Sequence, residues 1–248
     1  MNVLTVDIGN SNTKIDIWSD NEHLYHIITK YPEENKFLSL IEEYKVEGAA
    51  ICSVNCDVTD IYNKMKDHLE GNVIHFTKDK SRTYNIVSSY RGQIGEDRLA
   101  AYIGALQLRK GQPLMIVDAG TAMTIDVVDR KGKFCGGNIS LGLESRLKAI
   151  HYYTKRLPLV SSKGIVTDFG TNTRMAIRNG AVNGMVAEII FLFHKANSRY
   201  KVERILFTGG DAKKIMSELE SHGIEYDYDP YLVGKGLNAD FRRWKSLM

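Results

Sequence analysis

Two stretches of the chain alternate apolar and polar positions around a glycine in the same way. Leu4-Thr5-Val6-Asp7-Ile8-Gly9-Asn10-Ser11-Asn12-Thr13-Lys14-Ile15-Asp16-Ile17 predicts a buried strand, a Gly turn and a second strand. Met115-Ile116-Val117-Asp118-Ala119-Gly120-Thr121-Ala122-Met123-Thr124-Ile125-Asp126-Val127-Val128 repeats the pattern 111 residues later, aligning Asp7 with Asp118, Gly9 with Gly120 and Thr13 with Thr124. Glycine at each turn can take positive φ. A strand–D-x-G–strand unit seen twice predicts two copies of one fold. The boundary is expected near Lys110-Gly111-Gln112-Pro113, dividing the chain into domains 1–112 and 113–248.

Helix-period apolar residues run from Phe37 to Tyr44 and from Val58 to Leu69, with strands predicted at 48–54 and 72–76. Beyond the second hairpin, helices are predicted at about 141–151, 170–197 and 211–222, with Arg204-Ile205-Leu206-Phe207 a strand between the last two. Strands that alternate with helices after an initial meander predict an α/β fold in which each mixed β-sheet is flanked by helices. Asp227 and Asp229 beside Pro230 read as a turn, and the basic, aromatic tail Phe241-Arg242-Arg243-Trp244-Lys245 reads as a docked C-terminal helix.

The composition, 43% hydrophobic and 25% charged, is that of an ordinary globular protein. A formal net charge of +3 gives no ground for a nucleic-acid or membrane partner. The apolar runs 113–117 and 189–193 fall short of the roughly 20 residues a spanning helix needs. The N-terminus reaches Asp7 with no basic region or cleavage site, so a cytoplasmic protein is expected. Cys52, Cys56 and Cys135 lack the spacing of a zinc site and are expected to be reduced thiols. The first 112 residues hold 13 basic and 16 acidic residues and the remainder 20 and 14, an asymmetry that would help attract a polyanionic small molecule.

The chemistry concentrates at the glycines. A Gly turn with amide and hydroxyl side chains can present backbone N–H groups to phosphate, and Asp7-Ile8-Gly9-Asn10-Ser11-Asn12-Thr13-Lys14 adds a lysine as a point charge. Asp7 at the strand end is placed to hold magnesium through water. With Asp118 to Thr124 as a second loop, a nucleotide could be clamped between two domains. Thr208-Gly209-Gly210-Asp211 leads from a strand into a helix with Asp as cap, which suits phosphate or adenosine and equally an ordinary capped turn. Gly95-Glu96-Asp97-Arg98 opens an Ala/Leu-rich helix. Its acids complement the helix dipole, and Asp97 could equally accept a proton from an alcohol in phosphoryl transfer. Arg98 could bind a carboxylate with its planar fork or hold Asp97 in place.

Taken in order, Asp7 to Lys14, Gly95 to Arg98, Asp118 to Thr124, Gly136-Gly137-Asn138-Ile139, Gly170-Thr171-Asn172-Thr173 and Thr208 to Asp211 resemble the type III pantothenate kinase family over nearly the whole chain. That family belongs to the acetate and sugar kinase, heat-shock chaperone and actin superfamily. The resemblance implies two ribonuclease-H-like, actin-like ATPase domains, a homodimer, and ATP-dependent phosphorylation of pantothenate to 4'-phosphopantothenate. Mg2+ and a monovalent cation, K+ or NH4+, come with it.

Carried over by position, Asp7, Ile8, Gly9, Asn10, Ser11, Asn12, Thr13, Lys14 and Thr121 would bind ATP, and Asp118 the monovalent cation. Gly95, Glu96, Asp97 and Arg98 would line the pantothenate site, with Asp97 as the proton acceptor and Thr173 and Tyr90 as further substrate contacts. The family has Tyr, then an Asn-Pro pair, before G-x-D-R. Here Tyr90-Arg91-Gly92-Gln93-Ile94 reaches Gly95 with no proline and about two residues fewer. The apolar load of the 170–197 helix, Met175, Ala176, Val182, Met185, Val186, Ile189, Ile190 and Phe193, fits a two-fold interface. Two rival readings are a nucleotide-binding regulatory protein on this scaffold without turnover, and a sugar or acetate kinase. The presence of Asp7, Asp97, Arg98 and Asp118 argues against the first, and the short chain with its G-x-D-R placement against the second.

Overall fold

The computed structural model describes residues 1–248, the side chains of Glu34 and Ser221 excepted. The chain divides into two units: Met1–Lys110 with Tyr231–Met248, and Gly111–Pro230.

In the first unit β1 (Asn2–Ile8), β2 (Thr13–Ser19) and β3 (Glu22–Thr29) form an antiparallel meander. The chain then passes through α1 (Glu34–Glu43) to β4 (Gly48–Ser53), which pairs parallel to β1. It continues through α2 (Thr59–His68) to β5 (Val73–His75), parallel to β4. A parallel neighbour needs a crossover, and the helices supply it. Period 2 sends Leu4, Val6 and Ile8 of β1 to a core with Ile15, Ile17, Phe37, Leu40 and Ile51. The other face of β1 carries Thr5 and Asp7, both buried. After two short 3-10 turns, α3 (Glu96–Leu108) closes the segment, with Leu99 to Ala105 buried along its length.

The second unit repeats the plan. The strands β6 (Leu114–Ala119), β7 (Ala122–Val128) and β8 (Phe134–Leu141) form a meander. The helices α4 (Leu143–Tyr153) and α5 (Thr173–Tyr200) carry the chain to β9 (Arg204–Thr208), parallel to β6. Then α6 (Ala212–Leu219) leads to β10 (Glu225–Tyr228), parallel to β9. The orders β3-β2-β1-β4-β5 and β8-β7-β6-β9-β10 are equivalent, so the sequence repeat is a repeat of topology, and both units are mixed sheets flanked by helices.

Two expectations are corrected. Residues 231–248 do not continue the second unit. They form α7 (Leu232–Lys245), which packs on α3 in the first unit. A Cβ on Gly104 would lie 2.3 Å from the Leu232 carbonyl oxygen, and one on Gly236 1.8 Å from that of Ala100, so the two helices meet backbone to backbone. Asp227 is not in a turn but in β10, bound to Arg204 Nη1 at 2.9 Å across the edge pair.

The α5 helix has 28 residues and is long and apolar enough, by composition alone, to cross a membrane. Its Val182, Met185, Val186, Ile189 and Phe193 are buried in the core of the second unit. Of the apolar residues named for a two-fold interface, these are covered within the unit, Met175 and Ile190 are half-buried, and Ala176 is exposed, as is Phe191 on the same helix. Neither Gly9 nor Gly120 uses the positive φ open to glycine.

Candidate active site

In the first unit the turn between β1 and β2 spans residues 9–12, closed by the Gly9 N–H donating to the Asn12 carbonyl at 3.0 Å. A Cβ on Gly9 would sit 3.3 Å from that same oxygen, so glycine is suited here by close approach rather than by handedness. Asn55, just past β4, donates its amide to the Gly9 carbonyl at 3.1 Å and braces the turn from outside. No motif in the sequence singled it out. Asn10, Ser11 and Asn12 form the exposed tip. Ile8 and Thr13, at 2% and 1% exposure, turn their side chains into the protein and can offer a ligand only their backbone.

Asp7 ends β1 opposite Lys14. Lys14 Nζ lies 3.7 Å from Asp7 Oδ2, and the Cys52 thiol donates to Asp7 Oδ1 at 3.7 Å. Burial raises the Asp7 carboxyl above its ordinary value, Lys14 opposes that shift, and the charge of Asp97 adds to it. Burial also pushes the Cys52 thiol well up, helped by the charges of Asp7 and Asp97, which keeps it protonated and able to donate. A desolvated carboxylate facing a second acid has the character of a site that a cation or a proton completes.

Asp97 lies in the first turn of α3, behind Gly95 at the N-cap. Its Oδ1 accepts the Arg98 N–H at 2.7 Å, and a Cβ on Gly95 would stand 2.8 Å from that oxygen. The carboxylate is thus oriented by the helix start on which it sits. Glu96 accepts the Lys78 N–H on Oε1 at 3.3 Å, while its buried Oε2 has no hydrogen-bond partner among the described residues; burial raises its carboxyl. Arg98 is 4% exposed, and its Nη1 donates to the Tyr90 phenol. Tyr90, Gly95, Glu96, Asp97 and Arg98 are therefore gathered at one helix start, despite the shortened link.

The second unit holds Asp118, Thr121 and Thr173. Its hairpin turn has only residues 120 and 121, closed by the Gly120 N–H to the Ala122 carbonyl at 3.0 Å. The start of α4 buttresses it. The Gly142 N–H and the Ser145 hydroxyl donate to the Thr121 carbonyl at 3.0 and 2.7 Å. A Cβ on Gly142 would be 1.9 Å from the Gly120 oxygen. Asp118 is in register with Thr208 on β9, and its Oδ1 would stand 2.5 Å from a Cβ on Gly209, which does take positive φ, +92°. The buried Thr208 Oγ1 has no hydrogen-bond partner among the described residues. Asp211 stands at the N-cap of α6 but does not cap it; its carboxylate binds Lys214 Nζ at 3.0 Å. Thr173 is exposed at the first residue of α5, which Asn172 caps by accepting the Met175 N–H at 3.0 Å.

Comparison with known proteins bears on this geometry. The sequence pattern of the type III pantothenate kinase family matches residues 3–195. A type III pantothenate kinase from Azobacteroides pseudotrichonymphae is 33% identical over 235 residues, covering 95% of this chain and 94% of the relative. Among solved structures, a Campylobacter jejuni protein described as a Baf family transcriptional activator superposes with a TM-score of 0.63 at 22% identity, covering 99% of this chain and 100% of the other. The Clostridium difficile activator of 2-hydroxyisocaproyl-CoA dehydratase, solved with bound ADPNP, gives 0.57 at 9% identity, covering 100% and 98%. At those identities the two structures speak for the fold alone.

Proposed function

Because the chain belongs to the type III pantothenate kinase family, and so phosphorylates pantothenate with ATP as the first step of coenzyme A biosynthesis, we propose how its residues divide that reaction. The observation that carries the division is the helix start at Gly95, where an oriented carboxylate, a second acid and a buried arginine lie together.

Asp97 accepts the proton of the pantothenate hydroxyl as the oxygen attacks the γ-phosphorus, its carboxylate held by the Arg98 N–H. Arg98, steadied by Tyr90, binds the pantothenate carboxylate, with Gly95, Glu96 and Thr173 as further substrate contacts. The turn from Asp7 to Lys14 holds ATP phosphates through its exposed tip and Lys14, and Thr121 makes a second ATP contact. Asp7, buried and raised by its surroundings, fits a cation: it would hold Mg2+ through water, which when bound neutralises phosphate charge. Asp118, with the unpartnered Thr208 hydroxyl on the neighbouring strand, fits a monovalent cation, K+ or NH4+.

The protein works as a cytoplasmic homodimer with no nucleic-acid or membrane partner. Its support is the family, since α5 buries most of its apolar residues within its own unit. Sedimentation at micromolar concentration should give twice 28.0 kDa; a species of 28.0 kDa would refute the dimer. The reaction is tested by ADP release with pantothenate against a panel of sugars and acetate. Release with pantothenate alone is expected. ATP binding without release would favour a regulatory protein, and release with a sugar or acetate a different kinase.

A further inference from the structure

On the first unit, two residues along β2 from Lys14 and on residues given no part in catalysis above, β2 and β3 bring together Asp16, His23 and His26. Asp16 Oδ1 lies 2.8 Å from His23 Nε2 and 2.7 Å from His26 Nδ1, and all three ligand-type atoms fall within 4.8 Å of one another. We propose that Asp16, His23 and His26 form a binding site for a borderline divalent transition metal such as Zn2+, with solvent in the fourth position.

The backbone is shaped for this convergence. Residues three apart on a regular strand point to opposite faces. Here the β2–β3 register shifts between Ile17 and Trp18, leaving Leu24 as an extra residue, so that His26 pairs with Asp16 and His23 with Trp18. The bulge thereby turns both imidazoles to the face that carries Asp16, which is how bulges re-aim side chains. The rings are also held. Tyr231 stacks on His23 at 3.7 Å between centroids and 20° between planes, and Trp18 meets His23 edge-on at 4.8 Å. Asp16 is 2% exposed, and its Oδ2 would stand 2.6 Å from a Cβ on Gly234, so the carboxylate is pressed against the first turn of α7.

Two imidazole nitrogens and one carboxylate oxygen suit zinc, and three protein ligands leave one position open. Tetrahedral ligands at 2.0–2.1 Å from Zn2+ lie about 3.3 Å apart. To reach that geometry the two Asp16–histidine spacings need to open by about half an ångström, while the His23–His26 spacing, which is no more than 4.8 Å, adjusts toward the same value. Without metal, each ring donates an N–H to Asp16 Oδ1. With metal, each ring would carry its hydrogen on the other nitrogen and turn a lone pair inward. Both histidine side chains keep 20–23% exposure, which leaves an entry from solvent.

The test is calorimetric titration of the chelator-treated full-length protein with ZnCl2, with Co2+ absorption as a second readout. One Zn2+ per chain is expected, with a Co2+ spectrum of tetrahedral type lacking thiolate bands, and a melting temperature that rises with Zn2+. His23→Gln and His26→Gln, which keep a hydrogen-bond donor toward Asp16, should each weaken Zn2+ at least about tenfold. Cys56→Ser should leave it unchanged. The melting curve without metal shows whether each variant is folded. Absence of saturable Zn2+ binding at micromolar concentration would overturn the site and leave a hydrogen-bonded triad only. Undiminished binding in a folded double His23→Gln, His26→Gln variant would overturn it equally.

Discussion

Arg98 and Tyr90 meet twice: the guanidinium carbon lies over the ring, 5.3 Å from its centroid, while Nη1 donates to the phenol. A buried guanidinium needs such partners. Tyr90→Phe removes an acceptor from a charged donor, a loss worth about 1.5–3 kcal/mol of stability. If Arg98 meets the pantothenate carboxylate, the variant should also raise KM for pantothenate by about tenfold, equivalent to about 1.4 kcal/mol, with kcat nearly unchanged. An unaltered KM in a folded variant would remove Tyr90 from the substrate side of Arg98.

Asp97→Asn keeps the size and the hydrogen-bond acceptor for the Arg98 N–H but removes the base. The kcat should fall by about 100- to 10,000-fold, while calorimetric ATP affinity stays near that of the wild type. Were Asp97 only a helix-start acid, the cost would be about 0.3–1 kcal/mol of stability with turnover intact. Kinetics beside a thermal melt separate the two.

Asp7 is raised in the folded protein, chiefly by burial. Its contribution to stability is therefore complete below the unfolded carboxylate value, about 3.9. It is lost as pH climbs through the raised folded value. Asp7→Asn carries no such loss. Its melting temperature should gain on the wild type as pH rises above the unfolded carboxylate value, about 3.9, even as its activity with Mg2+ and ATP drops. A difference in melting temperature independent of pH would contradict the assignment.

Much of this was legible beforehand, and the misreadings have physical causes. Asp7, Lys14 and Asp118 sit at strand ends because the D-x-G pattern marks the end of a buried strand, whichever conformation the glycine takes. The reason for glycine was not legible: Gly9 lies close to the Asn12 oxygen without positive φ. The strand β3 hid because its bulge at Leu24 breaks the alternation that would have revealed it, and the His23–His26 pair hid with it. The four residues of β10, Glu-Tyr-Asp-Tyr, form a half-exposed edge and look like the turn that follows. The tail could be read as a helix, but its partner could not. The fit of Gly236 against Ala100 joins residues far apart in the chain and leaves no local mark.

Gly9→Val places a branched side chain where even a Cβ comes within 3.3 Å of the Asn12 oxygen. The turn must shift by a few tenths of an ångström, at a site whose exposed tip leaves the core untouched. Nucleotide affinity should fall at least about tenfold, with a cooperative melt retained. Calorimetry showing normal ATP affinity would take this turn out of the site.

Thr208→Val replaces a buried hydroxyl that has no hydrogen-bond partner among the described residues with an apolar group of the same shape. Stability should be unchanged or higher. If the hydroxyl serves a monovalent cation beside Asp118, the variant should need more K+ for half-maximal activity, and the wild type should respond to K+ or NH4+ over Na+ at constant ionic strength. A flat response of the wild type across these salts would end the cation assignment.

The backbone fit of α3 against α7 also orders events during synthesis. The first unit begins at residue 1, yet the helix that covers α3 is encoded after the 120 residues of Gly111–Pro230. At about 5–20 residues per second, a ribosome takes roughly 6–24 s to traverse that stretch. For that interval the nascent N-terminal segment carries α3 without α7, and Gly104 and Gly48 lie bare where Leu232 and Phe241 will press. The helix α7 thus acts as a latch on the first unit that arrives only after the second unit has been made.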